Sequence, residues 1–411
     1  MKKDVEKIYS DAITACLPDS VVREAVFSLP PVKGKLLSVA IGKAAWKMSS
    51  TAAEELGDRL TGGIVITKYH HSMGDIPRTE IYEAGHPVPD ENTIAATERV
   101  LEFTSSLTED DMVLFLVSGG GSALFESVEC GLDELQDMTR QLLAAGASIG
   151  EINTLRKHLS KVKGGKFAEH VAPARVYAVL LSDVLGNDPS TIASGPACPD
   201  SSCVEDVHRI IAKYSLSLSP SVMSQLERET PKALSNSEYV IGGSVTELCA
   251  ASKRTAESLG FKTEILTDCL DTEARYAGEF LSAIGKAHKN TDIPLAYIAG
   301  GETVVHLKGR GKGGRNQELA LSAALAISGY DNIAVFSVGS DGTDGPTDAA
   351  GGCADGGTAD RIRSAGIDPL SALENNDAYN ALSAADSLIV TGPTGTNVND
   401  ISVVLIYPKN K

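Results

Sequence analysis

Short runs of aliphatic and β-branched residues that close on glycine-rich polar loops, with helical stretches between them, restrict the fold of this chain more than any other feature. Strand, helix and strand in alternation is the pattern of a largely parallel sheet, because parallel neighbours need a connection long enough to run back along the sheet. The strand-like runs are Leu36–Ile41, Ile64–Thr67, Met112–Val117, Arg175–Leu181, Tyr239–Ile241, Thr263–Thr267, Leu295–Ala299, Ile333–Val338, Leu388–Thr391 and Val403–Tyr407. Helical periodicity falls on Lys43–Leu56, Asn92–Ser106, Val245–Ser258, Thr272–His288 and Gln317–Ile327. With 411 residues the chain exceeds one ordinary core, so two α/β domains are expected. The most polar, least strand-like segment, Ser215 to Ser237, divides them into 1–230 and 237–411.

Charge narrows the partners. Lys and Arg number 37 against 54 Asp and Glu, a net charge of −17, which repels nucleic acid, anionic membranes and polyphosphates at long range. Nucleic acid and membrane are therefore excluded as partners, and any phosphate site has to be made locally. The N-terminus is amphipathic and no later run is long and charge-free enough to span a bilayer, so a cytoplasmic protein is expected. The seven cysteines include no CxxC pair and predict no disulfide framework, and the histidines, His70, His71 and His86 among them, lack a zinc-ligand spacing.

In open α/β sheets, ligands gather at the loops leaving the C-terminal ends of strands. Lys43, after Gly42, opens a helix where a cation opposes the helix dipole unless an anion binds beside it; the plain alternative is a solvated lysine. Gly119, Gly120 and Gly121, followed by Ser122, end an apolar strand and suit a backbone nest for phosphate, or a simple turn. No G-x-S-x-G elbow is present, which argues against a nucleophilic serine. The basic stretch from Arg156 to Lys166 places Lys163 beside Gly164-Gly165, where it suits a phosphate or carboxylate contact if it is not simply a solvated face. Asp183, just past a strand, stands where a general base or metal ligand would; Asp188 before Pro189 reads as a turn residue.

Three further loops follow in the C-terminal half. Lys308 to Glu318 combines four basic side chains with Gly313, Gly314, Arg315 and Asn316, which favours clamping a phosphoryl group; it is not a Walker A loop. The same loop fits G-x-G-x-x-G at Gly309, Gly311 and Gly314, a weak dinucleotide signal. Asp341 and Asp344, among glycines and hydroxyls, suit Mg²⁺ held together with ATP phosphates, or a plain turn. Asn397 and Asn399 in the last such loop could orient the hydroxyls of a small polar substrate.

In order along the chain, the strings IGKAA, GHPVPD, SGGGSALF, LRKHLSKVKGG, LSDVLG with IASGPA, AGGETVV, GGRNQELAL, SDGTDGPTDAAGG and TGPTGTNVND resemble the class II glycerate kinases, those with a DUF4147 N-terminal and a MOFRL C-terminal domain. The resemblance runs from about Lys35 to the end. It implies a Rossmann-like α/β/α N-terminal domain, a distinct α/β MOFRL domain and an active site in the cleft between them. It implies ATP-dependent phosphorylation of D-glycerate, usually at O2, with a divalent cation such as Mg²⁺, by a monomer or homodimer. It carries importance onto Lys43, Asp183 and Arg315. This sequence departs from the family pattern at Asn187, which widens the Gly-Asp spacing and puts Asp188 in more doubt than Asp183, and at Ala197, which replaces a common Thr.

Phosphoryl transfer is mostly positioning and charge stabilisation. On this reading Asp183 accepts the hydroxyl proton, Lys43 and Arg315 face the transferring phosphoryl or the glycerate carboxylate, and the Gly119–Gly121 amides bind anionic oxygens. Two rivals stand beside it: an NAD(P)H-dependent hydroxypyruvate reductase built on the G-x-G-x-x-G string, and a non-catalytic sensor of phosphorylated metabolites. Carboxylates placed among phosphate loops argue against the sensor.

Overall fold

Two of the apolar runs, Leu36–Ile41 and Met112–Val117, are buried along their whole length and pair in parallel, Val39 opposite Phe115. Continuous burial without alternation is what a strand covered on both faces requires. In the computed structural model, which describes residues 1–182 and 188–409, they form the middle of the first of two six-stranded sheets. The strands of that sheet are β1 (Leu36–Ile41), β2 (Gly62–Lys68), β3 (Thr79–Ala84), β4 (Met112–Val117), β5 (Arg175–Leu181) and β6 (Ser237–Gly243). Their order is β3-β2-β1-β4-β5-β6, with β3/β2, β2/β1, β1/β4 and β4/β5 all parallel.

This is the doubly wound Rossmann order. The chain winds outward from β1 in one direction and from β4 in the other, so the crevice at their C-terminal ends is not bridged by a crossover. The helix Ala45–Leu56 buries Met48, Ala52 and Leu56 with Ala40, Val65, Leu114 and Leu116 on one face. On the other, Phe115, Phe125 and Phe167 pack ring to ring with centroids 4.8–5.9 Å apart. The helix Glu91–Phe103 starts on a capping box in which Asp90 and Thr93 satisfy each other's backbone N–H. β3 has no counterpart among the expected strands. Its sequence TEIYEA is one-third charged and only partly buried, as an edge strand tolerates.

The second sheet contains β7 (Lys262–Leu270), β8 (Leu295–Gly301), β9 (Ile333–Gly339), β10 (Gly351–Asp355), β11 (Leu388–Ile389) and β12 (Asp400–Ile406), in the order β11-β10-β9-β12-β8-β7. It corrects the expectation of a largely parallel sheet for this half of the chain. Only β7/β8 is parallel, while β12 runs antiparallel to both β8 and β9, and β10 to β9 and β11. The cause is local, since irregular loops and not crossover helices lead from β9 into β10 and from Val390 into β12. Alternating residues serve opposite faces: Val335, Val404 and Ile406 in one core, Phe336, Val403 and Leu405 in the other.

The chain divides into two compact units, residues 18–182 with 188–242 and residues 1–17 with 243–409. This differs from the expected 1–230 and 237–411 at both ends. β6 completes the first sheet, and the opening helix Lys2–Ala15 belongs to the mixed-sheet unit. That helix buries Val5, Ile8, Ala12 and Ile13 in one core with Leu248, Cys249 and Ala251 of the helix Val245–Ser258. An amphipathic terminal helix announces an apolar face but not which surface will receive it. The C-terminal strand β12 stays in the second sheet. All seven cysteines are free thiols, and among the described residues no helix is long and apolar enough to cross a membrane.

Candidate active site

The crevice at the ends of β1 and β4 is built from main chain. Gly42 turns at φ 112°, and any Cβ there would come within 2.3 Å of Ser118 Oγ, so glycine is required where the two loops touch. The backbone of the next residue is held from three sides. Lys43 N–H donates to Gly119 O (2.9 Å), and Lys43 O accepts from His71 Nδ1 (3.2 Å) and from Thr67 Oγ1 (3.4 Å). Ala44 N–H donates to Ser118 Oγ at 3.0 Å. The Lys43 residue itself is exposed. Gly121 N–H is taken by Ser118 O, but among the described residues no protein acceptor meets the N–H of Gly119 or Gly120. Two open amides beside an exposed lysine have the form of a backbone anion nest.

His86, which follows β3, belongs to the same place. A Cβ on Gly120 would lie 3.0 Å from its Cδ2 and Nε2 and 3.3 Å from Lys43 Cγ, so both side chains pack on that glycine. Burial, then the charges of Lys43 and Lys68 and of His71, push the His86 imidazole below its ordinary value, leaving a neutral ring at pH 7. The strand ends thus gather Lys43, Lys68, His71 and His86 in a protein of net charge −17. Sequence spacing gave His86 only a surface or packing role; its position one residue past Gly85 at a strand end was the available signal. Ser122 stands beside this loop with its hydroxyl 3.0 Å from that of Ser194, and its carbonyl accepts from Arg156.

The basic stretch proves structural. Lys163 is fully buried, 2.9 Å from Glu126 and donating to Phe125 O at 2.6 Å, and burial lowers it to about 8 against the pull of Glu126. It has no surface to offer a ligand, so its expected contact with ATP is corrected. Lys157 pairs with the buried Asp200, and Lys166 donates to the carbonyls of His158 and Ser160. Each cation meets an internal acceptor because the segment passes through the core, which a charge count along the chain does not reveal. Asp183 lies outside the described residues, and Asp188 accepts from Ser190 N–H as a turn residue does.

In the mixed-sheet unit, Arg315 opens the helix Arg315–Ala326. Its Nε and Nη2 donate to the two oxygens of Asp400, and Nη1 to Glu302 at 2.7 Å. Three of the five guanidinium N–H groups are engaged, and the side chain is 34% exposed, so the rest are available to a ligand. Asn399 Nδ2 donates to the other oxygen of Glu302, so Asn399 supports this arrangement, whereas Asn397 is exposed. Burial pushes the Asp400 carboxyl up against the pull of Arg315.

Asp344 is a helix cap. Its oxygens accept from Asn316 N–H (3.2 Å) and Gln317 N–H (2.9 Å), and burial pushes it up to about 6 despite those donors. Asp341 closes a turn by accepting from Thr343 N–H. Among the described residues no group of three or more His, Cys, Asp and Glu side chains could hold a metal, so a cation at Asp341 or Asp344 would need the ATP phosphates as its other ligands, as expected from the sequence. Asn316 is buried, with Oδ1 accepting from Ser337, which corrects its expected contact with ATP.

The G-x-G-x-x-G string is likewise not a dinucleotide loop. Asn376 Oδ1 accepts from the N–H of both Lys308 and Gly309, Asn375 from Arg310 and Gly311, and Asp377 from Lys312. These amides are turned inward. Gly313, Gly314 and Arg315 instead line a cavity of about 820 Å³ with Asp341, Thr343 and Pro346.

Residues 4–227 match the family model described as "Domain of unknown function (DUF4147)", and residues 295–400 the one described as "MOFRL family". A Thermotoga maritima protein named "D-glycerate 2-kinase" is 54% identical, over 99% of this chain and 98% of its own. A Pyrococcus horikoshii protein named "Glycerate 2-kinase" is 41% identical, over 92% of this chain and 89% of its own. The crystal structure of a glycerate kinase from Thermotoga maritima superposes with a TM-score of 0.94 at 54% identity, covering 98% of this chain and 99% of that one. The chain belongs to the glycerate kinase family.

Within this glycerate kinase family chain, Lys43 with the Gly119 and Gly120 amides, and Arg315 with Gly313 and Gly314, keep groups open to ligands. Lys163, Asn316, Asp344 and Asn399 are committed to the protein.

Proposed function

We propose that this chain transfers the γ-phosphoryl group of ATP to O2 of D-glycerate, giving 2-phosphoglycerate and ADP. What carries this reading is the 54% identity, along nearly the whole chain, to the protein named D-glycerate 2-kinase. The geometry supports it through the exposed Lys43, the half-buried Arg315 and the open amides, since a kinase needs fixed donors where negative charge spreads in the transition state. Lys43 and the Gly119 and Gly120 N–H groups bind anionic oxygens of the transferring phosphoryl or the glycerate carboxylate. His86, neutral, adds a hydrogen-bonding group without a further charge. Arg315, aimed by Asp400 and Glu302, offers its remaining N–H groups to phosphate oxygens. As glycerate O2 bonds to the γ-phosphorus, the bond to the β,γ-bridging oxygen breaks and the hydroxyl proton passes to Asp183, a role this reading takes from the family resemblance.

Hydride transfer from NAD(P)H receives no support from the loop that suggested it, because its amides are occupied by Asn375, Asn376 and Asp377. Phosphorus NMR of the protein incubated with ATP, Mg²⁺ and D-glycerate is the direct test. A 2-phosphoglycerate resonance is expected; 3-phosphoglycerate alone, or no product, overturns the proposal.

A further inference from the structure

The motif AGGETVV ends β8 and, beyond Glu302, which aims Arg315, has no part in the chemistry above, yet it forms one wall of a cavity in the mixed-sheet unit. The cavity of about 820 Å³ is lined there by Val304, Val305 and Leu307, and Leu307 is 81% exposed with Val304 46% exposed. Apolar side chains left uncovered at the mouth of a cavity of this size mark a ligand surface. The wall is rigid. Val304 N–H donates to Thr272 O and its carbonyl accepts from Ala274, while the N–H groups just past Leu307 are held by Asn376.

The charges select the ligand. Glu302, Glu318, Asp341 and Asp344 line the cavity against one cation, Arg315, which already serves Asp400 and Glu302. A small acid such as glycerate is too small to fill it. A neutral group of nucleoside size, with an apolar face and hydroxyl and amine donors for the carboxylates, matches both walls.

We propose that this cavity takes the adenosine end of ATP, the base against Val304 and Leu307 and the phosphates toward the Gly313–Arg315 rim. The inference rests on the kinase reading and deepens it by assigning the nucleoside site.

The test uses Leu307→Asp, an exposed position whose replacement leaves folding intact. In the full-length protein the expected result is an ATP KM raised at least tenfold, with the glycerate KM within twofold of wild type and the thermal midpoint unchanged. Adenosine should inhibit wild type competitively against ATP, and that inhibition should be lost in the variant. An unchanged ATP KM, or a rise in the glycerate KM in its place, overturns the assignment. Calorimetric titration with adenosine separates this proposal from the one it rests on. Wild type that binds adenosine while Leu307→Asp does not, in a protein that forms no phosphoglycerate, refutes the kinase reading and keeps the pocket. No adenosine binding by wild type refutes the pocket, whatever the activity.

Discussion

Two glycine-rich loops of this chain carry the same promise in sequence and are used in opposite ways. In the loop Ser118–Ser122, the amides of Gly119 and Gly120 face no protein acceptor among the described residues and an exposed lysine stands beside them. In the loop Lys308–Gly314, richer in both glycine and basic residues, the amides from Lys308 to Lys312 are bound by Asn375, Asn376 and Asp377. Glycine in the first keeps space open for a ligand. In the second it lets two stretches of backbone touch, since a Cβ on Gly309 would lie 2.2 Å from Asn375 O and one on Gly311 2.4 Å from Asp377 Cβ. Composition therefore ranks the two loops the wrong way round, and what separates them is where their N–H groups point.

The contrast is most exposed to refutation at its lysines. Lys43→Met is expected to lower kcat/KM by about 10²–10³, as loss of one preorganised charge contact does, with the thermal midpoint unchanged. Lys308→Met should stay within about threefold, because that loop presents no open amides beside it. Steady-state kinetics on both decides it; comparable losses would erase the distinction.

Glycines come next. Gly309→Ala should cost about 1–3 kcal/mol of unfolding free energy through the backbone clash with Asn375, with kcat of the folded fraction preserved. Gly120→Ala, at φ 87° and against His86 and Lys43, should reduce kcat/KM more than stability. Denaturant melts beside kinetics read both, and a purely kinetic defect at Gly309 would mean that the Lys308–Lys312 stretch serves a ligand as well. Asn376→Ala strands the N–H groups of Lys308 and Gly309 and the Glu318 carboxylate it also serves, and should destabilise by about 1–3 kcal/mol in the same assay.

The smallest effect is one of pH. Asp344, raised from 3.8 to about 6, binds its proton more tightly folded than unfolded. Its contribution to stability is full below the unfolded value and is lost as pH rises through about 6. Relative to Asp344→Asn, wild type should therefore lose thermal stability between pH 4 and pH 7. A difference that stays flat across that range would show a freely ionised cap.

Much of this was legible beforehand. The fully buried strands β1, β4 and β9 read directly as continuous apolar runs, and the loops at their ends proved to hold Lys43, Gly119 and Asp341. What escaped depends on partners distant in sequence. Lys163 is a core residue because Glu126 lies under it, and Asp344 is a cap because the helix Arg315–Ala326 begins beside it. Neither relation leaves a local trace. β3 was missed because an edge strand is permitted the charges that disguise it, and the mixed second sheet because strand direction follows the connections and not the strands.

One consequence concerns the order in which the chain is made. The helix Lys2–Ala15 is synthesised before the Rossmann-like unit, yet the surface that covers Val5, Ile8, Ala12 and Ile13 is supplied by residues from Val245 onward, after that whole unit. Through most of translation this helix is an apolar ribbon without a lid, available to holdase chaperones or to neighbouring nascent chains. Its docking closes a loop that spans the whole Rossmann-like unit, and contacts of such sequence separation carry a large closure entropy.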